Sequence, residues 1–284
     1  SFGGRVLERF EPLTFTALKT ALPDPAGAVG QPLAGVGTRG KHLLLHFGPD
    51  LAGDTGSGTA PGDISEGNAA GPTFVVHLMQ GGRLVPDEKM SRKPRFGIAR
   101  WRFEDSPALL LTEAGTERKA GVWVVEGDPL TQEPLDHLGP DADLITRDDF
   151  ANALADKNQR VHGFLRDQRG LSGIGRMLAN EICHRARMSP FAMSAKLDDD
   201  EVNRLHGAMG DCIADALAHE RTLPEMSKSA NRPGAVHRRK GEDCPVCGDE
   251  VRAVEYSRYE VDYCPTCQTG GKILADNTTS KFLK

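Results

Sequence analysis

Four of the six cysteines fall into two close pairs, and this spacing is typical of a metal site. The pairs are Cys244 with Cys247 and Cys264 with Cys267, each with two residues between its members. Sixteen residues separate the two pairs, which fits two zinc knuckles that close a β-hairpin. Four thiolates complete a tetrahedral Zn²⁺ shell and leave no position for a reactive water, so we predict one structural zinc ion. The alternatives are a redox dithiol or a chance pair of such motifs.

A Gly-x-Gly turn at Gly173 and Gly175 leads into a predicted helix and forms a second candidate site. The first turn of a helix has unpaired backbone N–H groups that bind anions, and Arg176 adds a cation there. Basic residues outnumber acidic ones around this turn: Lys157, Arg160, Arg166, Arg169, Arg176, Arg185 and Arg187 against Asp167 and Glu181. A phosphodiester backbone is therefore a candidate ligand. A tight interhelical turn beside a solvated basic face explains the same residues equally well.

Three further turns in the N-terminal half carry side chains that could contact a ligand. Lys41 stands in a glycine-flanked turn at the start of a predicted strand, although a surface lysine usually has no function. Met79 and Gln80 end another strand before a Gly-Gly turn, and the preceding His77 is more typical of a core histidine than of a ligand. A third turn presents Arg118 between two predicted strands.

Short apolar and alternating segments predict the strands that position these turns. We predict strands over residues 42–47, 73–78, 98–103 and 122–125. Repeated short strands with glycine and proline between them favour an antiparallel sandwich or barrel, to which we assign residues 1–140. Residues 48–72 are rich in Gly, Ala, Ser and acids. They bury too little apolar surface to order themselves and are expected to form a flexible insertion.

Helical patterns follow an acidic segment. Residues 126–156 carry nine acidic residues against Arg147 alone, and we interpret them as a solvated linker that leads into a helix capped by Thr146. Further helices are predicted at residues 161–166, 176–186 and 198–219. We assign residues 141–227 to this helical domain. A polar, basic linker and the four-cysteine segment form the third unit, residues 228–284.

Length and composition exclude several classes of protein. The chain has 284 residues, 38% of them hydrophobic and 26% charged, and can form one to three domains with buried cores. No segment approaches the ~20 apolar residues of a transmembrane helix, so we expect no membrane partner. The net charge of −5 argues against a generally basic nucleic-acid coat protein, although the local distribution of charge matters more. No secretory signal is visible, so a reducing, cytoplasmic location is expected, with Cys183 and Cys212 as buried apolar side chains.

Three signals occur together in the order of a known family: a glycine-flanked lysine turn in a β domain, a helical Gly-x-Gly element and a terminal four-cysteine hairpin. In this combination the chain resembles the formamidopyrimidine-DNA glycosylase/endonuclease VIII family over residues 1–268. The most specific stretch, residues 165–190, is similar to the family's helix-two-turns-helix element. Residues 263–268 are similar to the end of its zinc finger.

The resemblance implies an α+β multidomain fold: an N-terminal antiparallel β-sandwich, a helix-two-turns-helix domain and a C-terminal four-cysteine zinc-finger β-hairpin. It also implies a monomeric base-excision-repair DNA glycosylase and AP lyase, whose partner is double-stranded DNA containing damaged bases or abasic sites. Such enzymes flip the oxidised base into a pocket, because a stacked base cannot be reached. In the family, an N-terminal proline amine attacks C1′ to form a Schiff base, an adjacent glutamate handles protons, and β-elimination follows. An α-amino group has a reference pKa of ~8, against ~10.4 for lysine, so more of it is nucleophilic at neutral pH.

The resemblance assigns roles to residues of the predicted sandwich. Lys41 matches a hairpin lysine that contacts phosphate beside the lesion and assists catalysis. Arg118 matches an arginine that enters the gap left by the flipped nucleotide, and Met79 or Gln80 would be a second void-filling residue. Ala120 stands where the family has a bulky aromatic wedge, so the resemblance leaves the opposite-base preference open.

Further roles fall on the helical and finger segments. Gly173 and Gly175 would donate backbone N–H groups to phosphate. Arg176 replaces an asparagine that is common in the family, and the phosphate role survives that change. In the finger hairpin the family often has an arginine five residues before the third cysteine. That position is Tyr259 here, with Arg258 one place earlier, so either side chain is a candidate for the minor groove.

The start of the chain departs from the family pattern. No Pro-Glu pair begins it, and residues 1–6 resemble the end of the family's first helix, roughly twenty residues in. Either the chain is truncated and the full protein supplies the amine and the acid, or it is a catalytically inactive relative that binds damaged DNA. A third hypothesis is a zinc-ribbon interaction protein with no role on DNA. Its binding would be insensitive to salt, whereas phosphate binders lose affinity steeply as salt rises.

Overall fold

The N-terminal half of the chain forms two antiparallel sheets. The computed structural model describes residues 2–49, 71–115, 117–227, 231–256 and 259–274, and the chain divides into two units, Ser1–His137 and Leu138–Lys284. The strands of the first unit are β1 (Leu7–Pro12), β2 (Leu33–Arg39), β3 (His42–Phe47), β4 (Thr73–His77), β5 (Gly82–Asp87), β6 (Gly97–Phe103), β7 (Ala108–Glu113) and β8 (Gly121–Val125). One sheet has the order β1-β6-β7-β5 and the other β2-β3-β4-β8, with every neighbouring pair antiparallel.

The two sheets share one hydrophobic core. Phe74 of β4 and Trp101 of β6 are fully buried, and their ring centroids lie 6.0 Å apart in an edge-to-face arrangement. Phe10 of β1 packs on both rings at 5.1 and 5.2 Å. Because successive side chains point to opposite faces of a strand, the alternating pattern places one set of residues in this core. The predicted antiparallel β-sandwich is confirmed.

The hairpin formed by β2 and β3 carries Lys41 at its tip. Arg39 pairs with His42 across the ladder, which leaves Gly40 and Lys41 as the connecting residues. Gly40 has a φ of 56°, in the left-handed region that glycine adopts without steric cost. The next residue, His42, is only 8% exposed, whereas Lys41 is exposed. The turn therefore presents a cation directly beside a buried strand.

The second unit packs helices around a separate core and also contains a β-hairpin. Its elements are α1 (Arg147–Asp156), α2 (Val161–Arg166), α3 (Arg176–Arg185), α4 (Asp199–Arg221), β9 (Arg252–Tyr256), β10 (Tyr259–Tyr263) and α5 (Pro265–Thr269). The core contains Phe150, Leu154, Phe164, Leu165, Ile182 and Leu205. Thr146 caps α1 by accepting the N–H of Asp149 at 3.2 Å, as predicted. Asp198 and Glu201 form a capping box at the start of α4.

The predicted elements are confirmed, with ends that shift by one or two residues. The strands expected at 42–47, 73–78, 98–103 and 122–125 correspond to β3, β4, β6 and β8. The helix expected at 161–166 is α2, and those expected at 176–186 and 198–219 are α3 and α4. Cys183 and Cys212 are buried, as expected. Helix ends are defined by marginal hydrogen bonds, so such shifts change nothing in the packing.

Most of the predicted flexible insertion, residues 48–72, lies outside the described residues, which resume at residue 71. The N–H of Phe47 donates to the carbonyl of Pro72 at 3.0 Å, so the described ends of this segment are neighbours in the sheet. In the part of the chain that the structure describes, no helix has both the length and the apolar character needed to cross a bilayer.

The helical core gives a direct test of packing. Phe164 is fully buried, and its ring meets that of Phe150 at 5.8 Å. We expect Phe164→Ala to lower the free energy of unfolding by about 3–5 kcal/mol, because it leaves a cavity among apolar neighbours. Urea unfolding followed by circular dichroism at 222 nm measures this loss, since the described α-helices all lie in the second unit. The control is Leu144→Ala, at a side chain that is 61% exposed; equal losses for the two variants would contradict the prediction.

Candidate metal centre and phosphate-binding residues

The four predicted cysteine ligands converge on one point. The Sγ atoms of Cys244, Cys247, Cys264 and Cys267 all lie within 4.8 Å of one another, close enough to share one metal ion. The backbone N–H of Asp249 lowers the pKa of the Cys247 thiol. Burial raises the pKa of the Cys264 thiol to about 11, so its thiolate form requires a cation among the sulfurs. The donor set fits a closed structural site with no open position.

Helix α3 holds the linker that precedes the cysteine hairpin. The carboxylate of Glu181 accepts the backbone N–H groups of Ala235, Val236 and His237 at 2.7, 3.1 and 2.8 Å. A Cβ at Gly234 would lie 2.8 Å from Glu181 Oε1, so a larger residue there would have to displace the carboxylate from these N–H groups. The carboxylate therefore binds a backbone turn through three N–H groups and fixes the linker to the helix.

The hairpin itself is tied to the same helix through buried polar groups. Asp262 of β10 is fully buried, and its Oδ2 accepts Asn180 Nδ2 at 2.9 Å and the N–H of Arg238 at 3.0 Å. One turn further along α3, His184 Nε2 lies 3.3 Å from Cys244 Sγ. A buried polar group without a partner is costly, so these bonds select one orientation of the hairpin on α3.

The Gly-x-Gly turn at the start of α3 is shaped by Gln168. Its Oε1 accepts the N–H of Gly173 at 3.1 Å, and its Nε2 donates to the carbonyl of Ile174 at 3.0 Å. Gly173 has a φ of 100°, which favours glycine. Gly175 is the N-cap of α3 and provides no side-chain cap. Because Gln168 already binds the Gly173 amide, the candidate anion donors are Gly175 and the first turn of α3.

Arg176, in that first turn, lines a cavity of about 310 Å³ in the second unit. The other lining residues are His237, Arg238, Glu255, Tyr256, Tyr259 and Glu260. The structure thus brings together Arg176 and Tyr259, two residues that the sequence interpretation treated separately. Arg258 lies outside the described residues.

Two tyrosines stack across the cysteine hairpin. The rings of Tyr256 and Tyr259 are 4.7 Å apart and tilted by 13°, as expected for a cross-strand pair in register. The guanidinium of Arg166 lies 4.7 Å from the Tyr259 ring centroid, and Arg160 Nη1 donates to the Tyr256 hydroxyl at 3.1 Å. The position at which the family often has an arginine is therefore an aromatic ring held by a helical arginine.

In the first unit, Lys41 stands beside a pair of histidines. His42 and His77 are cross-strand partners in β3 and β4, with ring centroids 4.6 Å apart. His77 Nδ1 accepts the N–H of Met79 at 3.1 Å. Burial, with a smaller contribution from His77, lowers the pKa of His42 to about 4. Burial, followed by the charge of Lys41, also lowers the pKa of His77, so both rings are neutral at pH 7.

The remaining predicted residues occupy tight turns at the ends of strands. Met79 and Gln80 are exposed in the turn between β4 and β5, and Met79 has a φ of 54°. Arg118 is exposed in the turn between β7 and β8, with a φ of 36°. Ala120 is 1% exposed and belongs to the sandwich core, so this position packs inward instead of carrying an exposed wedge.

Sequence reasoning missed several contacts that position these sites. Asn180 and Glu181 lie in the stretch 165–190 that carries the resemblance, but their partners, Asp262 among them, are far away in the chain, so no local pattern indicates these contacts. Gln168 lies only five residues before Gly173, so a polar side chain just ahead of the glycine turn was a usable signal. Phe96, whose ring lies 5.6 Å from the Arg118 guanidinium, had no sequence signal.

Comparisons with known proteins agree with this architecture. The family model described as the formamidopyrimidine-DNA glycosylase H2TH domain matches residues 137–227. An uncharacterized formamidopyrimidine-DNA glycosylase-like protein of Mycobacterium tuberculosis is 44% identical over 151 residues, which are 52% of this chain and 94% of that relative. The formamidopyrimidine-DNA glycosylase of Pelotomaculum thermopropionicum is 28% identical over 243 residues, 82% of this chain and 80% of the relative.

Solved structures have the same fold. The MutM (Fpg) protein from Thermus thermophilus has a TM-score of 0.71 at 24% identity, covering 95% of this chain and 94% of that one. The Lactococcus lactis Fpg in complex with DNA containing an abasic site has a TM-score of 0.73 at 16% identity, covering 94% and 93%. At sequence identities of 24% and 16%, the similarity to these two structures is evidence for the fold alone.

The low pKa of His42 predicts a pH-dependent stability. The imidazole pKa is about 4 in the folded chain and 6.5 ordinarily, so the unfolded chain binds more protons between these values. The neutral His42 imidazole therefore contributes on the order of 3 kcal/mol to the free energy of unfolding. This contribution is complete above pH 6.5 and is lost as the pH falls towards 4. Urea unfolding between pH 4 and 7 should give a shallower pH dependence for His42→Leu. The control is His219→Leu, at a half-buried histidine of α4 in the second unit, and equal pH slopes for wild type and His42→Leu would contradict the assignment.

Proposed function

The chain belongs to the formamidopyrimidine-DNA glycosylase family, and we propose that it is a base-excision-repair enzyme acting on double-stranded DNA with damaged bases or abasic sites. One observation carries this proposal. Helix α3 begins at the Gly-x-Gly turn and also makes the contacts of Glu181, Asn180 and His184 that fix the four-cysteine hairpin. Helix α3 is a single rigid element, so it fixes the distance between a turn suited to an anion and the hairpin. A DNA backbone carries phosphates at regular spacing, which suits two contacts at a fixed distance.

The proposed reaction is glycosylase and AP lyase chemistry. An amine attacks C1′ of the flipped nucleotide, and the bond from C1′ to the oxidised base breaks as the base takes a proton. The C1′–O4′ bond then opens with a proton transferred to O4′, which gives the Schiff base. Loss of the C2′ proton then breaks the bond from C3′ to the phosphate oxygen and cuts the strand. In the family, an N-terminal Pro-Glu pair supplies the amine and the acid. For the residues of this chain we propose roles in binding and positioning the DNA, with Lys41 also assisting catalysis.

We assign the DNA contacts of the first unit to its strand-end turns. Lys41 would pair with a phosphate beside the lesion, since it lies in an exposed two-residue turn. The rings of His42 and His77 are neutral and add no positive charge beside Lys41. Arg118, together with Met79 or Gln80, would fill the void left by the flipped nucleotide.

In the second unit we assign phosphate contacts to the first turn of α3. Gly175 and Arg176 supply backbone N–H groups and a guanidinium there. Tyr259 is the proposed hairpin contact within the described residues, and Gly173 and Arg258 stay as further candidates from the family resemblance. We retain the division into a sandwich over 1–140, a helix-two-turns-helix domain over 141–227 and a finger over 228–284.

We propose Zn²⁺ as the metal of the cysteine site. Tetrahedral zinc with Zn–S bonds of ~2.3 Å places its sulfurs about 3.8 Å apart. The distances of 3.3 Å between Cys247 and Cys264 and 3.9 Å between Cys244 and Cys267 are close to this value. Zinc would stabilise a hairpin that is too small to bury a core of its own. Reduced thiolates suit the cytoplasm, where we place the protein as a monomer.

Binding to DNA tests the proposal. We expect tighter binding to a duplex with one abasic site than to the matched undamaged duplex, and affinity that falls linearly on logarithmic axes as salt rises. Arg118→Ala should weaken binding to the abasic duplex roughly tenfold and change the preference for the opposite base, because the guanidinium no longer fills the void. Fluorescence anisotropy measures both. Lys119→Ala is the matched control, because Lys119 already pairs with Glu117 at 2.6 Å.

Two results separate the hypotheses about function. Borohydride trapping of the protein, with its native N-terminus, on abasic-site DNA should give a covalent adduct. Tight binding without an adduct would favour the inactive damaged-DNA-binding relative instead. Binding that does not respond to salt would contradict any phosphate-mediated role.

The metal site makes its own prediction. We expect one zinc ion per chain by elemental analysis, and Co²⁺ substitution should give the d–d absorption of a tetrahedral thiolate site. Cys264→Ser should abolish that spectrum and weaken DNA binding, because the hairpin loses its fold. The control is Cys212→Ser, at a buried cysteine outside the site. An unchanged cobalt spectrum in Cys264→Ser would rule out the four-cysteine assignment.

A further inference from the structure

The ring of Phe96 lies between two guanidinium groups. Arg95 Cζ is 4.7 Å and Arg118 Cζ is 5.6 Å from its centroid, both within the range of a cation–π interaction. Phe96 immediately precedes β6, whereas Arg118 precedes β8. The contact therefore joins two turns that are separate in the chain.

The backbone fixes the position of this ring. Phe96 has a φ of 61°, and Arg118 has a φ of 36°, a region that residues other than glycine adopt rarely. The N–H of Gly97 donates to the carbonyl of Pro94 at 3.0 Å, and a Cβ at Gly97 would lie 2.6 Å from Pro94 Cγ. Such strained residues persist only where the surroundings hold them, and they cluster at functional sites.

A single residue, Glu113, connects both turns. Its backbone N–H donates to the carbonyl of Phe96 at 3.0 Å. Its carboxylate, which is buried, accepts the N–H of Ala120 at 2.6 Å. The turn that carries Arg118 and the turn that carries Phe96 are thus anchored to the same residue at the end of β7.

Packing in the core does not account for the ring. Phe96 is half-buried, and among the described residues it belongs neither to the buried core of the sandwich nor to the apolar side chains packed against that core. Its described ring contacts are instead with the two guanidinium groups. This ring lies outside the core on a strained backbone. Its place is better explained by the guanidinium groups that it holds in position.

The charge around the ring is unbalanced. In the described ranges no carboxylate pairs with Arg95 or Arg118, whereas the neighbouring Lys119 pairs with Glu117. Three more exposed basic residues, Lys89, Arg92 and Lys93, lie in the segment that leads to Phe96. Arginines without carboxylate partners are available to a polyanion.

We propose that Phe96 is a positioning residue that holds the guanidinium of Arg118 in place for DNA recognition, together with that of Arg95. The inference rests on the proposed function, because the ligand of Arg118 is taken to be the damaged duplex. A long flexible side chain loses rotamer freedom when it binds. The Phe96 ring restricts Arg118 before binding, so Phe96 sets how well the protein distinguishes a damaged site from intact duplex.

The geometry can be tested without DNA. In the free protein, ring currents from Phe96 should shift the Arg118 side-chain NMR signals upfield. Phe96→Leu should abolish this shift, and Phe96→Tyr should retain it. Arg118 signals that do not respond to Phe96→Leu would overturn the proposal, whatever the activity of the protein on DNA.

The role in recognition is tested by a double-mutant cycle in DNA binding. We expect Phe96→Leu to weaken binding to abasic-site duplex about two- to fivefold, the range of an exposed cation–π contact, with a smaller effect on undamaged duplex. In an Arg118→Ala background the same change should have no further effect, and Phe96→Tyr should restore wild-type affinity. Additive losses, or a Phe96→Tyr variant as weak as Phe96→Leu, would overturn it. Wild-type protein that binds no DNA at all would instead contradict the proposed function.

Discussion

The second unit depends on how helix α3 satisfies the polar groups packed against it. The carboxylate of Glu181 takes three backbone N–H groups of residues 235–237, and Asn180 donates to the buried Asp262. Leaving any of these groups unpaired would cost free energy, so the cysteine hairpin packs on the helix in one orientation. The opposite end of the same helix carries the Gly-x-Gly turn. The spacing of the four-cysteine hairpin from the Gly-x-Gly turn is therefore set by one stiff element.

The net charge of −5 conceals two populations of charged residues. In the sandwich, the buried Arg100 is held by Asp87 at 2.8 Å and Glu11 at 3.1 Å, so these acids satisfy an internal cation. Arg95 and Arg118, beside Phe96, have no such carboxylates in the described part of the chain. In the sandwich, Asp87 and Glu11 thus serve the fold, while Arg95 and Arg118 remain available to a ligand. This segregation reconciles an acidic protein with a polyanionic partner.

The tertiary structure also refines the roles that the resemblance suggests. Gln168 binds the amide of Gly173, which moves the candidate phosphate donors towards Gly175 and α3. Ala120 packs into the sandwich core, and the aromatic ring beside Arg118 comes from another turn. Both changes have the same cause. Whether a residue can contact a ligand depends on which neighbours already bind its polar groups or bury its side chain. Those neighbours need not be close in sequence.

The sequence by itself determined the elements and the four cysteines that converge. Strand alternation, the Thr146 cap and the spacing of Cys244 to Cys267 are local patterns, because each depends on residues that are close in the chain or on a fixed ligand geometry. Only the tertiary structure decided which side chains meet. Glu181 binds a backbone turn 54 residues further on, and Phe96 meets Arg118 across two strand ends. Contacts of this kind arise from packing and buried hydrogen bonding, which leave no periodic signal in the sequence.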